Sequence, residues 1–208
     1  MGPDGGGKDT VREGYDRISY AYRADSFDYA ASEYAVYLPW IEERLPEGAR
    51  VLDLGCGCGV PVARELSRRH QVTGVDISPV QIERARQLVP AAEFVCADLT
   101  ACAFENESFD AVVAFYSIIH VPVEEQPALL ERVTGWLRPG GRLLMTVGQG
   151  AWTGIDEDWF GARMYWSHSD ADTYRRRLAD LGLRLLREGF IPEDNAGHVV
   201  LMAEKGAA

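Results

Sequence analysis

Apolar positions along this chain follow two spacings, one typical of helices and one typical of buried strands. Two helices are predicted near the start from apolar residues three or four positions apart, the second with a proline that should kink it: Val11, Tyr15, Ile18 and Tyr22, then Tyr34, Leu38, Pro39, Ile41 and Leu45. Short runs rich in valine predict five buried strands: 50–54, 71–75, 93–96, 111–115 and 142–147. Helical patterns lie between these runs, so strand and helix alternate.

The segment after the second predicted strand carries the clearest helix signals. Ser78 is the expected N-cap, Pro79 takes the first helical position, and Gln81 completes a capping box. A further helix at 127–137 should end at the turn-forming residues 138–141. Strands that alternate with helices predict a parallel sheet covered on both faces, with right-handed crossovers.

The end of the chain predicts a different connection. Ser169 is the expected cap of a helix that Gly182 ends, and two strands follow at 183–190 and 198–204. The seven residues between them are too few for a crossover helix, so they favour an antiparallel hairpin.

The chain is expected to form one domain. Its 208 residues suit a single domain of ordinary size, and no linker or repeat divides them. The Gly-rich residues 1–10 predict a disordered leader, and residues 11–208 predict the domain, with helices at 11–46. Residues 148–168 are the least regular and most aromatic part, and we expect them to form a helical insert over the active site.

Charge and composition exclude several classes of function. The formal net charge of −11 repels polyanions, so nucleic acid is not expected as a partner. The longest apolar run is far below the roughly 20 residues of a membrane span, and the N-terminus does not resemble a secretory signal. We therefore expect a cytoplasmic protein without membrane contact, either a monomer or a homodimer. Cys56 and Cys58 are too closely spaced for a zinc-ligand pair, so no metal site is predicted.

The chemistry is concentrated in a glycine-rich loop that follows the first strand. Gly55, Gly57 and Gly59 let a ligand approach the backbone, and Asp76 ends the next strand 21 residues after Gly55, the spacing at which an acidic side chain meets a ribose. A dinucleotide fingerprint would need glycine where Val60 stands. A sulfonium cofactor carries no phosphate, so the missing glycine at position 60 matters less for binding such a cofactor than for binding a dinucleotide. The loop therefore predicts a site for a nucleoside-bearing cofactor.

These residues resemble the class I S-adenosylmethionine-dependent methyltransferases. Five segments agree with the family in order: 51–59, 72–78, 94–99, 108–113 and 137–141. The resemblance implies an α/β, Rossmann-like seven-stranded sheet in the order 3-2-1-4-5-7-6, with the last strand antiparallel and helices on both faces. It also implies S-adenosyl-L-methionine as cofactor and S-adenosyl-L-homocysteine as product.

The resemblance assigns cofactor roles to particular residues. Asp76 would bind the ribose and Asp98 the adenine amino group. Tyr15 would cover the methionine end, or belong only to the core. Asp53 would orient the loop by accepting its backbone amides. The full set expected to bind the cofactor is Tyr15, Tyr22, Asp53, Gly55, Cys56, Gly57, Asp76, Ile77, Asp98, Leu99 and Phe115.

His120, just beyond the fourth strand, is the candidate catalytic base. The alternative is that it only hydrogen-bonds the edge of the sheet. Residues expected to bind the acceptor are mostly aromatic and come mainly from the insert: Tyr116, Trp152, Trp159, Tyr165, Trp166 and His168. Ordinary packing between the fifth strand and the last helix would explain most of these rings equally well.

Four functions fit the sequence to different degrees. The leading one is methyl transfer to an O, N or S nucleophile of a small molecule, such as a metabolite or natural product. The second is a cyclase of the same fold that binds S-adenosylmethionine without transferring its methyl group. An NAD-dependent dehydrogenase is disfavoured by Val60, and a non-enzymatic regulator would show no turnover.

Overall fold

The computed structural model describes residues 6–193 and 196–206. Six helices are present in this part: α1 (Gly6–Tyr22), α2 (Tyr34–Glu42), α3 (Val62–Leu66), α4 (Pro79–Leu88), α5 (Gln126–Trp136) and α6 (Ala171–Asp180). It also contains nine strands: β1 (Arg50–Leu54), β2 (Gln71–Asp76), β3 (Glu93–Cys96), β4 (Phe109–Ala114), β5 (Leu137–Gly148), β6 (Trp152–Trp159), β7 (Ala162–His168), β8 (Leu183–Glu193) and β9 (Ala196–Lys205). Short 3₁₀ turns lie at Leu99–Ala101 and Ile118–His120.

Seven strands form one twisted sheet, in the order β3-β2-β1-β4-β5-β9-β8. Strands β1 to β5 pair in parallel, and β9 runs antiparallel to both of its neighbours. The predicted fold class is confirmed. Counted within this sheet alone, the strands follow the predicted 3-2-1-4-5-7-6 order, and the numbering differs because β6 and β7 form a separate two-stranded sheet.

Apolar clusters cover both faces of the sheet. Helices α5 and α6 pack on one face, against Leu52 and Leu54 of β1. Helices α2, α3 and α4 pack on the other, against Val51. Because side chains alternate along a strand, Asp53 shares the face of Val51, where it is 1% exposed. The core therefore buries a carboxylate beside the carboxyl edge of the sheet.

The segment expected to be a helical insert is instead the β6–β7 hairpin, so the expectation of a helix was wrong. Phe160 and Gly161 both have positive φ and form its turn, and Ile155 pairs with Tyr165 across the strands. β-branched and aromatic residues favour such pairs over helix. Helix α1 packs on the hairpin around Met164, and together they form a third apolar cluster, which we call the cover.

Two local expectations also need correction. Residues 6–10 belong to α1 and not to a disordered leader, because Lys8 is held by Asp98 and Glu125; residues 1–5 lie outside the described residues. The cap of α6 is Asp170, which accepts from Thr173 N, rather than Ser169.

The predicted hairpin between the last two strands is present, but its loop is shorter than seven residues. Pairing continues to Glu193 and Ala196 because backbone groups can pair while the polar side chains of an edge strand face water. Residues 194 and 195 lie outside the described residues. No helix in the described part of the chain is long and apolar enough to cross a membrane.

Candidate active site

The loop after β1 lies against the carboxyl edge of the sheet. Val75 O accepts hydrogen bonds from Gly55 N and Cys56 N at 2.8 and 3.0 Å, which ties the loop to β2. Gly55 has φ +74°, and a Cβ there would lie 2.2 Å from Cβ of Ser117. Gly57 has φ +54°, and a Cβ there would meet no atom within 4 Å. The first glycine allows close packing, and the second leaves open space beside the backbone.

Asp76 holds this loop from the end of β2. Its Oδ2 accepts from Gly57 N and its Oδ1 accepts from Ser78 N, both at 2.9 Å. Each carboxylate oxygen retains a second lone pair, so both can still accept from a pair of ligand hydroxyls. Burial raises the pKa of Asp76 to about 6, despite these two amides. Ser78 N donates to Asp76, and the Gln81 side chain accepts from Ser19, so these two groups do not bond each other. Only one half of the predicted capping box forms, in which the Ser78 hydroxyl accepts from Gln81 N.

Asp53 does not have the role predicted for it. The loop amides are accepted by Val75 and Asp76, and Asp53 Oδ2 is buried without a hydrogen-bond partner among the described residues. Burial, and then the nearby charge of Asp76, raise the pKa of Asp53 to about 8. Burying a carboxyl without a hydrogen-bond partner costs free energy of folding. Because Oδ2 has no partner among the described residues, it can still accept a hydrogen bond from a ligand.

Asp98 lies beyond β3 and is bound from two sides. Its Oδ1 accepts from Thr100 N at 2.8 Å, and its Oδ2 lies 2.8 Å from Nζ of Lys8 in α1. Burial would raise the pKa of Asp98, but hydrogen bonds from Lys8 and Thr100 outweigh it, and the pKa is lowered. Lys8 also pairs with Glu125. This clasp ties the start of α1 to the sheet, and residues 90 and 117 positions apart gave no local signal for it.

His120 and Tyr15 form a hydrogen-bonded pair below the cover. His120 Nδ1 lies 2.6 Å from Tyr165 O, and its Nε2 lies 3.1 Å from the Tyr15 hydroxyl. Because a carbonyl can only accept, Nδ1 carries the proton and Nε2 accepts from Tyr15. Burial lowers the pKa of His120 to about 4, so the ring is neutral near pH 7. Both predictions for His120, as a base and as a hydrogen-bonding residue at the sheet edge, remain compatible with this geometry.

One cavity brings most of the predicted site residues together. It holds about 910 Å³ of space, counting its open mouth. Its lining includes His120, Tyr116 and every residue expected to bind the cofactor: Tyr15, Tyr22, Asp53, Gly55, Cys56, Gly57, Asp76, Ile77, Asp98, Leu99 and Phe115. Their roles stay predictions, but the fold places them around a single space.

The remaining residues expected to bind the acceptor do not line this cavity: Trp152, Trp159, Tyr165, Trp166 and His168. In the hairpin, the Trp166 ring centroid lies 4.4 Å from that of His120, and Trp152 lies 6.5 Å from Trp166 at a tilted angle. The Trp159 ring packs on Tyr15 and Tyr22 instead, at 5.7 and 5.0 Å. Tyr165 contributes its carbonyl rather than its ring to His120. These rings therefore support the wall of the site, and acceptor contact by them stays a prediction.

The cavity fits an adenosine that carries a charged amino-acid group. Asp76 offers free lone pairs to ribose hydroxyls, and Gly57 leaves room beside the loop. Asp53 Oδ2 and Ser117 Oγ are buried polar atoms without partners among the described residues, and they suit a ligand ammonium. Ser117 borders the cavity beside Tyr116, as the sequence led us to expect, but sequence reasoning missed Lys8 and Arg23, which also line it. Only long-range contacts identify them.

Comparisons with known proteins agree on one family. Residues 51–141 match a family model described as a methyltransferase domain. A carboxy-S-adenosyl-L-methionine synthase of Geobacter sp. (strain M21) is 30% identical over 171 residues, which cover 76% of this chain and 68% of that protein. Further curated relatives are longer, and the chain spans 21% to 49% of their lengths.

Solved structures share the fold over nearly the whole chain. The 1,6-didemethyltoxoflavin-N1-methyltransferase of Burkholderia thailandensis, with bound 1,6-didemethyltoxoflavin and S-adenosylhomocysteine, superposes with a TM-score of 0.73 at 19% identity, covering 99% of this chain and 92% of that one. The [4+2]-cyclase SpnF superposes with a TM-score of 0.72 at 20% identity, covering 95% of each chain. At these identities the likeness concerns the fold alone.

Proposed function

This chain belongs to the class I S-adenosylmethionine-dependent methyltransferases, and on that basis we propose that it transfers a methyl group from S-adenosylmethionine to an O, N or S nucleophile of a small molecule. The family's cofactor supplies an electrophilic methyl group on a positively charged sulfur. The residues of this chain hold that cofactor, align the acceptor with it and exclude water.

The observation that carries the proposal is the position of Asp76. It ends β2, holds the glycine loop of β1 through Gly57 N, and retains a free lone pair on each oxygen inside the cavity. Asp98 lies at the end of the neighbouring strand β3. A nucleoside bound along these strand ends would have its ribose at Asp76 and its base at Asp98, at the edge where ligands of parallel sheets bind.

The acceptor end of the cavity is assigned to residues that follow β4. We assign Tyr116 and His120 of the cavity lining to it, and orientation of the two reactants can supply on the order of 7–11 kcal/mol of the barrier reduction. His120 Nε2 is occupied by the Tyr15 hydroxyl, so a proton leaving the acceptor would reach His120 through Tyr15. The low pKa of His120 makes it a weak base, so we assign positioning as the larger share of catalysis.

The acceptor is proposed to be a metabolite or natural product of modest size. Tyr15, Tyr116 and His120 line the cavity, and apolar pockets with a few polar groups suit small molecules. The charge of −11 argues against nucleic acid. The four cysteines are free, which suits a reducing, cytoplasmic compartment. We propose that the protein is a monomer or a homodimer.

Mass spectrometry of reactions with small-molecule nucleophiles tests this function. Purified protein is incubated with S-adenosylmethionine and a panel of phenols, amines and thiols, and each product is compared with the Asp76→Ala variant. We expect one acceptor to gain a methyl group while S-adenosylhomocysteine appears in equal amount. A product of unchanged mass, formed only with cofactor present, would favour a cyclase, the reaction named for SpnF, whose fold this chain shares.

A further inference from the structure

Tyr15 and Tyr116 line the cavity, and both donate their hydroxyl protons to other residues of the protein. Tyr15 donates to Nε2 of His120, because Nδ1 of that ring donates to the Tyr165 carbonyl. Tyr116 donates to Oε1 of Glu33 at 3.1 Å, because a carboxylate can only accept. A hydroxyl has a single proton. Each of these two oxygens can therefore only accept a hydrogen bond from a ligand.

Glu33 fixes this polarity at Tyr116. It lies immediately before α2 in the N-cap position, yet its side chain makes no capping hydrogen bond, and glutamate is not among the residues favoured there. The carboxylate instead accepts from a tyrosine 83 residues further along the chain. Without it, the Tyr116 hydroxyl would be free to turn its proton towards a ligand. The position of Glu33 is therefore explained by its bond to Tyr116 rather than by capping of α2.

The backbone of Tyr116 is strained and held in place. Its φ is +52°, in the left-handed region that bulky residues rarely adopt. The Oγ1 of Thr146, a side chain buried in the core, accepts from Tyr116 N at 2.6 Å. The Tyr116 ring packs edge-on against His198, with centroids 5.1 Å apart. Strained residues persist where their surroundings fix them, and they cluster at functional sites.

The acceptor end also favours a nucleophile that needs no base. Both nitrogens of His120 are hydrogen-bonded, and burial lowers the pKa of this ring to about 4. A phenol or thiol becomes a strong nucleophile only after losing its proton, and its anion would face the lone pairs of Tyr15 and Tyr116. An alkylammonium ion must also lose a proton first. An aromatic amine is uncharged near pH 7, so its nitrogen has both a lone pair and N–H donors.

We propose that the acceptor is a primary aromatic amine whose two N–H groups donate to the hydroxyl oxygens of Tyr15 and Tyr116, with Glu33 as the residue that positions the Tyr116 proton. This inference rests on the proposed function and narrows its nucleophile to nitrogen. The nitrogen lone pair forms the new N–C bond, and the electron pair of the broken S–C bond stays on sulfur, which gives S-adenosylhomocysteine. The positive charge passes to nitrogen, which then releases one proton to water.

Mass spectrometry of the methylated position tests the nucleophile directly. Purified protein is incubated with S-adenosylmethionine and acceptors that carry an amine beside a second nucleophile, such as 4-aminophenol and 4-aminothiophenol, with protein-free reactions as the blank. Fragmentation of each product shows which atom carries the methyl group. We expect the methyl group on nitrogen in every product. Methyl transfer to oxygen or sulfur would overturn the inference and leave the proposed function standing.

Binding of amines that differ in N–H number measures recognition without turnover. Protein saturated with S-adenosylhomocysteine is titrated with aniline, N-methylaniline and N,N-dimethylaniline, and NMR shifts give the dissociation constants. We expect aniline to bind at least about tenfold more tightly than N,N-dimethylaniline, because two hydrogen bonds are lost with the second. Tyr116→Phe keeps the ring and should lower this ratio to about threefold or less.

Variants of Glu33 separate control of the Tyr116 proton from structural support. Glu33→Ala frees that proton and should lower the affinity ratio as Tyr116→Phe does. Glu33→Gln keeps an oxygen that can accept from Tyr116 and should retain most of the ratio. Glu83→Ala removes a carboxylate from an exposed position of α4 and should leave the ratio unchanged. In all three variants S-adenosylhomocysteine should bind as it does to the wild type.

The amine assignment is overturned if the wild type binds the three anilines equally well or binds none of them. It is also overturned if Glu33→Ala and Tyr116→Phe both keep the wild-type ratio. Equal losses for aniline and N,N-dimethylaniline in Glu33→Ala would mean that Glu33 only supports the fold, which overturns its positioning role. If the anilines bind according to their N–H number but no acceptor is methylated, the proposed function fails and the recognition of amines stands.

Discussion

Asp53 is held in an environment that disfavours its own charge. It lies in the core at 1% exposure, near Asp76, and has no hydrogen-bond partner for Oδ2 among the described residues. Such a carboxyl takes up a proton on folding, and the free energy of unfolding falls as the solution removes that proton. The folded state therefore retains a destabilising carboxyl in the cavity lining, where it can accept a hydrogen bond from a cationic ligand.

Replacing Asp53 should therefore stabilise the ligand-free protein. Its pKa is about 8 in the folded state and near 3.9 when unfolded, so its contribution to stability is lost as pH rises from about 4 to about 8. We expect Asp53→Asn to raise the free energy of unfolding at pH 8 on the order of 1–4 kcal/mol, and by less at pH 5. Urea unfolding at both pH values measures this, with Glu83→Gln as the exposed control. A variant less stable than the wild type at pH 8 would contradict the buried charge.

The pKa of His120 makes stability depend on pH in the opposite direction to that of Asp53. Its folded pKa of about 4 lies below the unfolded value of about 6.5, so the unfolded chain binds more protons between these values. Stability is complete above about pH 6.5 and falls as the pH drops towards 4. We expect the wild type to lose about 3 kcal/mol relative to His120→Gln between pH 7 and pH 4. Denaturant unfolding at each pH tests this, and an NMR titration midpoint of His120 near 6.5 would refute it.

At the scale of elements, the cover decides which residues meet at the cavity. Helix α1 lies on β7, and its Lys8 and Tyr15 reach the sheet edge at Asp98 and His120. The hairpin supplies Tyr165 O and the Trp166 ring behind His120. Both elements must stay docked for His120 and Tyr15 to keep their hydrogen bond.

Gly14 sets the distance between α1 and β7. A Cβ there would lie 2.7 Å from Arg163 O and 2.8 Å from Cε of Met164, and the backbone oxygen cannot move aside easily. Alanine normally favours a helix over glycine by about 1 kcal/mol, yet we expect Gly14→Ala to lower the free energy of unfolding by roughly 1–3 kcal/mol. Hydrogen exchange of α1 should increase.

Gly6→Ala is the matched control for this prediction, since a Cβ at Gly6 of the same helix meets no atom within 4 Å. It should leave exchange and stability nearly unchanged. Equal stability of the two variants would show that α1 does not pack closely on the hairpin.

At the scale of the whole molecule, the cavity joins parts of the chain that are distant in sequence. The ends of β1, β2 and β4, the start of α1 and the segment after it all line one space. A ligand bound there contacts both the sheet and the cover, and it stabilises the folded state by mass action.

Cofactor binding should therefore raise the melting temperature of the wild type. At about 100 times the dissociation constant, a ligand adds about 2.7 kcal/mol, which corresponds to roughly 5–10 °C for a chain of this size. Asp76→Ala should weaken binding by roughly 1–3 kcal/mol, because two ribose hydroxyls lose their acceptor. Thermal scans with S-adenosylhomocysteine measure both effects, and an equal shift in the two proteins would place the ribose elsewhere.

The sequence by itself determined the elements of the sheet and the position of the loop. Valine-rich strands, the Ser78 cap, the glycines at 55 and 57 and the carboxylate of Asp76 all depend on spacing within a few residues or on the end of the next strand. Periodicity and turn chemistry are local properties of the chain, so they can be read without coordinates. The fold class follows from their order along the chain.

Only the tertiary structure decided how the cavity is closed and charged. His120 meets Tyr15 across 105 residues, and Lys8 meets Asp98 across 90, distances that no local pattern encodes. The exchange of a helix for the β6–β7 hairpin and the Asp53 carboxyl, unpartnered at Oδ2 among the described residues, likewise arise from packing between separate elements. Burial and charge at one point depend on everything that surrounds it in space, and neighbours in space are known only once the chain has folded.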